Sequence, residues 1–156
     1  MKSMILALAM LAPLPAMAEL ALSDLVGTWT GQGTYVEGLS SAKMRCNLGI
    51  TGTDAMVRLS GRCGSSLGAE SVVLDFTKAA DGSVSVSSGP GAPANDSKID
   101  VMQGKITANQ LILRGAAGDE TVTIELLQNP NGSLHFATRR TWTGKKATSV
   151  VTLIRR

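Results

Sequence analysis

The chain has 156 residues, with 15 Lys and Arg against 12 Asp and Glu, a net charge of +3, and only 3% aromatic residues. That length suits a single domain with a sizeable core. The mild basic excess (pI near 9.1) and the lack of aromatics for base stacking argue against a nucleic-acid partner.

The chain opens like a secretory signal. Lys2 supplies a positive n-region, residues 4–11 form an unbroken apolar run, and Ala16-Met17-Ala18 puts small residues where a signal peptidase reads. Cleavage is expected after Ala18, leaving one domain over 19–156 in the periplasm or outside the cell. The apolar run is too short to cross a bilayer, and Pro13 and Pro15 lie just beyond it and prevent its extension. The mature protein is therefore expected not to span a membrane. Cys46 and Cys63 are the two cysteines, and in an oxidising compartment an even pair reads as a disulfide.

Ser23 is a candidate cap for a short helical turn, Ser23-Asp-Leu-Val26, leading into Gly27. From Thr28 the pattern alternates: Trp29, Gly31, Gly33 and Tyr35 share one face. Glycines within a strand mark bends or close backbone approach, as a small barrel requires. Residues 42–51 and 55–63 form a hairpin about Gly52-Thr-Asp54. The register that sets Ile50 against Leu59 and Leu48 against Gly61 also sets Cys46 against Cys63. In a directly opposed, non-hydrogen-bonded pair the Cα atoms lie about 4.5 Å apart, within disulfide range. Lys43, Arg45, Arg58 and Arg62 fall on the outer face.

Further strands are expected at 71–78, 83–88, 97–106, 110–114, 120–128, 134–143 and 147–155. Their turns are Asp81-Gly82, Ala108-Asn109, Asn129-Pro-Asn-Gly132 and Gly144-Lys-Lys146. Many short alternating strands with no long helical period indicate a small antiparallel up-and-down β-barrel of about 8–10 strands. The Gly/Pro-rich stretch 87–97 reads as a surface connection or as a flap over a barrel mouth.

No catalytic set emerges. The single histidine, His135, sits opposite in parity to Leu134 and Phe136 and points outward, so no nucleophile–base pair is formed. Asp119 and Glu120 adjoin at a turn, where both should be solvated. No metal-ligand spacing or phosphate loop is present, and no cofactor is expected. Beyond Glu125 there is no acidic residue, whereas Arg139, Arg140, Lys145, Lys146, Arg155 and Arg156 all lie in that stretch. This basic end is a candidate surface for an anion, an acidic partner or lipid headgroups, or simply a solubilising edge. Arg140 shares its face with Trp142 and Phe136, so it is expected to point inward and to need a partner, with Trp29 one candidate.

Gly27-Thr-Trp29 after a helical turn, together with a basic residue on the last strand, resembles the calycin (lipocalin-like) superfamily. The resemblance implies structural roles: Trp29 closes the barrel base, and a terminal-strand arginine, Arg155 or Arg156 with Arg155 the first candidate, packs over it. The chain is also similar to small secreted proteins of alphaproteobacteria with an early Gly-x-Trp, a cysteine pair and a basic C-terminus. More weakly it resembles periplasmic inhibitors of serralysin-type proteases, whose free N-terminal tail enters the protease cleft. Here that tail would be only residues 19–22. The expected function is a non-enzymatic periplasmic barrel that binds an apolar small ligand or an envelope component. The alternative is a protein-binding module such as a protease inhibitor.

Overall fold

The computed structural model describes residues 19–93 and 99–156. The proposed signal segment and the part of the 87–97 loop beyond Pro93 lie outside the described residues. A 3-10 turn, Leu22–Leu25, precedes ten strands: β1 (Gly27–Glu37), β2 (Ser40–Gly52), β3 (Met56–Ser65), β4 (Gly68–Lys78), β5 (Ser83–Ser88), β6 (Val101–Thr107), β7 (Gln110–Ala117), β8 (Glu120–Gln128), β9 (Leu134–Trp142) and β10 (Lys145–Arg155). Each strand pairs antiparallel with its chain neighbours, and β1 pairs with β10 to close the barrel. The connectivity reflects the loops: connections of two or three residues can join only antiparallel neighbours. With no free edge left, the sheet's right-handed twist closes on itself.

The glycines of β1 permit this closure. A side chain at Gly31 or Gly33 would put its Cβ within 2.1 Å or 1.8 Å of the β10 carbonyls of Thr152 and Val150, so only glycine lets the two backbones meet there. The β2–β3 register sets Ile50 against Leu59, Leu48 against Gly61 and Cys46 against Cys63. The two cysteines form a disulfide with Cα atoms 4.1 Å apart.

Several details depart from the sequence reading: β4 starts at Gly68 and β7 runs on to Ala117, and three others concern the last hairpin, β6 and the 3-10 turn. The last hairpin turns on Thr143-Gly144, with Lys145 paired to Trp142. Both turn residues have positive φ, 43° and 74°, the two-residue geometry whose twist matches the strands. Lys145 and Lys146 therefore belong to β10. The second departure is that the 97–106 strand begins only at Val101. The third concerns the 3-10 turn, which Ser23 does not cap. The Leu22 N–H donates to Asp54 Oδ1 in the β2–β3 turn (2.8 Å), and the Ala21 N–H donates to Asp24 Oδ2 (3.0 Å). The 3-10 turn is thus capped by a carboxylate 32 residues away.

Alternation along each strand sends one face inward, and the inner face fills unevenly. Towards the end that holds the 3-10 turn, the interior is packed with Leu20, Leu22, Leu25, Trp29, Leu48, Ile50, Leu59, Phe76, Leu111, Leu126, Leu134 and Leu153, all buried. The opposite end carries the turns after β1, β3, β7 and β9 and the long connection after β5.

Candidate functional site

The base comes first, because it limits where anything can bind. Trp29 is fully buried, and its indole N–H donates to the Leu25 carbonyl at 2.8 Å. Arg155 lies directly across from it in the β1–β10 register. The Arg155 guanidinium stacks 4.7 Å above the Trp29 ring and donates to the Asp24 carbonyl. Gly27, at φ 149°, leaves the space: a Cβ there would lie 3.3 Å from Arg155 Nε. Gly27, Trp29 and Arg155 thus meet at one end of the barrel and bolt the 3-10 turn across it. Leu20 and Leu22 are buried in the same plug, and the Leu20 N–H donates to Ala108 O at 2.6 Å. The 19–22 segment is therefore tied into the base and is not a free tail.

The other end is open. A cavity of about 640 Å³ lies there, lined by the inward Val72, Leu74, Met102, Val122 and Arg140, with Ala92, Pro93 and Ile99 from the β5–β6 connection along one side. Ser88, Ala92 and Pro93, in the described part of the 87–97 stretch, border this cavity. A second, smaller hollow of about 250 Å³ adjoins it beside Tyr35, Met44, Cys63 and Glu70. The disulfide faces inward, with Cys46 buried and Cys63 on the wall of this hollow.

Arg140 is the charged centre of the open end. It points inward opposite Val122, its Nε donates to Glu120 Oε1 at 2.9 Å, and its guanidinium lies 4.6 Å over the Trp142 ring. Its aromatic partner is therefore Trp142; Trp29, at the far end, is taken by Arg155. Glu120 corrects the expectation of a solvated turn residue, being only 2% exposed. The signal was present in the sequence: Glu120 shares parity with Val122, Ile124 and Leu126, so the alternation that puts them inside puts it inside too. An ion pair this enclosed needs good geometry to offset desolvation, and the charge-assisted hydrogen bond supplies it. Deeper in, Thr138 and Ser149 share a hydrogen bond at 2.7 Å.

Tyr35 lines the smaller hollow. Its hydroxyl donates to Glu37 Oε2 at 2.8 Å. Burial, this bond and the nearby charges of Glu37 and Glu70 push its pKa up to about 12, while Arg140 works against them. Glu37, two residues on and of the same parity, was the local signal, whereas Glu70 and Arg140, which also act on Tyr35, come from distant stretches of chain.

The remaining basic residues do not join Arg140. Arg139 is exposed on the outer wall, and Lys145 and Lys146 are exposed at the rim. On the β2–β3 outer face Arg58 is engaged by Asp75 in a two-pronged ion pair at 2.7 and 2.8 Å. His135 is on the outer face, beside Leu127 and Thr152. Among the described residues no group of three potential metal ligands occurs, and no helix is long and apolar enough to cross a membrane.

A closed ten-stranded antiparallel barrel, plugged at one end and hollow at the other, defines a lipocalin-like fold. Among solved structures the chain is similar to the S-type phycobiliprotein lyase CPES from Guillardia theta, with a TM-score of 0.65 over 86% of this chain and 90% of that one, at 10% sequence identity. At that identity the likeness is one of fold. No protein-family model matches the chain, and no curated protein matches it in sequence.

Proposed function

We propose that the protein is a non-enzymatic binding barrel of an extracytoplasmic compartment, holding a small, mostly apolar ligand or envelope component in the cavity at its open end. The observation that carries this reading is the unequal filling of the interior. One half is packed solid behind Trp29, while the other keeps about 640 Å³ walled by Val72, Leu74, Met102 and Val122, a volume suited to a small organic ligand. Arg140, held by Glu120, together with Glu70, Ser71 and Ser88, gives that space polar contact points, as such sites use to orient a ligand. The disulfide suits an oxidising compartment, and the signal-like residues 1–18 agree with it. The similar fold of a phycobiliprotein lyase indicates that such a barrel can also serve an enzyme. The non-enzymatic reading therefore rests on the side chains here, where no nucleophile–base–carboxylate arrangement faces the cavity among the described residues. A protease-inhibitor role has less support, because the 19–22 segment is anchored in the base.

The test is titration with an environment-sensitive apolar probe such as cis-parinaric acid. Saturable binding is expected, and Val122→Trp should abolish it by filling the cavity while leaving the thermal melt in place. Absence of saturable binding, or binding indifferent to Val122→Trp, would sink the proposal.

A further inference from the structure

The outer wall of β2 and β3 holds cations that the barrel itself does not use. Lys43 and Arg45 are successive outward residues of β2, about 7 Å apart. Arg62 on β3 lies opposite Asn47 and is the diagonal neighbour of Arg45. All three are exposed, and none makes an ion pair or side-chain hydrogen bond among the described residues. Arg58, the fourth cation of this hairpin, is by contrast neutralised by Asp75. The outward residues of β10, β1, β2 and β3 include no acidic side chain. Glu37, which ends β1, has the inward parity of Tyr35, and Glu70 lies opposite the inward Cys63. Both are exposed at the rim and line the hollow on the inner side of the sheet. Three neighbouring like charges repel one another, and a bound anion would relieve that repulsion.

The three cations surround a place with no side chain. Gly64 lies directly opposite Arg45 and two positions along from Arg62. The fold does not impose glycine there. Its φ is not positive, and a Cβ would meet only the Ala69 Cβ, at an ordinary contact distance of 3.5 Å. Gly31 and Gly33 differ, because the β10 backbone excludes any side chain from them. A strand glycine with no backbone reason marks a place where a ligand can come close. The gap opens into a hollow of about 350 Å³ whose lining includes Lys43, Arg45, Gln32, Ser65 and Ser66 and no carboxylate.

We infer that this hollow binds a phosphate group, with Arg45 and Lys43 as its cationic contacts, Arg62 beside them, and Ser66 and Gln32 as further donors. Phosphate fits better than a carboxylate does. A doubly charged group matches more than one cation, and the planar guanidinium fork suits its oxygens. Ser65 is less available, since its hydroxyl already donates to the Gly68 carbonyl. The hollow has room for more than the bare ion, so the phosphate would be carried by a larger molecule, either a soluble ester or a lipid headgroup. The site is on the other side of the sheet from the apolar cavity and does not rest on the ligand-binding reading.

Nuclear magnetic resonance of the isotope-labelled full chain tests it, by titration with inorganic phosphate and with glycerol phosphate against chloride at matched ionic strength. Saturable shifts are expected for the amides of Lys43, Arg45, Gly64, Ser65 and Ser66, and chloride should not reproduce them. Arg45→Gln should weaken glycerol phosphate binding about tenfold or more, the loss of a charge-assisted contact. Gly64→Leu keeps every cation but fills the gap, so it should weaken binding as much while melting like the parent. Arg139→Gln, exposed on β9 outside the hollow, should leave affinity unchanged. Shifts that chloride reproduces, affinity that Arg45→Gln or Gly64→Leu leaves intact, or an equal loss in Arg139→Gln would mean a general cationic wall and overturn the inference. Co-sedimentation with phosphatidylcholine vesicles, with and without phosphatidic acid, then separates the two sources. Binding to the acidic vesicles that Gly64→Leu abolishes assigns a lipid headgroup. Ester binding without co-sedimentation assigns a soluble phosphate ester.

Discussion

At the scale of single residues, Tyr35 reports most directly on the open end. It is the only tyrosine in the chain, so its titration can be followed without ambiguity. Burial and the Glu37 and Glu70 carboxylates favour the protonated, neutral phenol. An unfolded tyrosine titrates near 10, and the folded one at about 12. The group's contribution to stability is therefore fully present below pH 10 and is lost as pH rises from there towards 12. An ultraviolet titration of phenolate formation should give a midpoint near 12, and Glu37→Gln should move it towards 10. A parent midpoint already at the unperturbed value would show that neither the burial nor the bond operates in solution.

At the scale of elements, the 3-10 turn is instructive because four residues cannot hold a helical conformation by themselves. It persists because the base of the barrel holds it from three sides: Asp54 on the Leu22 N–H, Trp29 on the Leu25 carbonyl and Arg155 on the Asp24 carbonyl. Asp54 also meets Lys78 Nζ at 3.1 Å. Lys78 first, and then the Leu22 N–H, hold its carboxyl below the usual aspartate range. Asp54→Ala should cost about 1 kcal/mol, the scale of a lost helix cap. Because its folded pKa is depressed, this contribution is present above the ordinary aspartate pKa of about 3.9 and fades as pH falls below it. Thermal melts of parent and variant should therefore differ at neutral pH and converge in acid. An equal gap at both would mean that the charge plays no part.

At the scale of the whole molecule, the disulfide and the β1–β10 seam restrain different things. The seam is a consequence of folding, bringing together residues more than a hundred positions apart. The disulfide spans only 17 positions and acts on the unfolded chain, where closing a loop of that size is worth about 3 kcal/mol. Replacing both cysteines by serine should lower denaturant stability by about that amount while leaving the far-ultraviolet spectrum of the barrel intact. A variant that lost the β-sheet signal altogether would show that the bridge is needed for closure itself.

How much of this was legible in the sequence depends on the range of each interaction. Most of the strands and turns, the inward placement of Trp29 and the Cys46–Cys63 register were readable, because period-two alternation and turn chemistry act over a few residues, and one slip would expose a whole apolar face. The same periodicity implied that Arg140 and Glu120 both face inward, yet the adjoining turn at Asp119 hid Glu120, and no local pattern could say that the two would meet. The choice of Asp54 as the cap for Leu22 and the partition of Arg155 to Trp29 and Arg140 to Trp142 were decided by closure of the barrel. Only the tertiary structure could also decide that the plugged half packs solid while the other half stays hollow. Local pattern sets which side chains point inward, whereas the space left between them depends on how strands distant in the chain converge around a common axis.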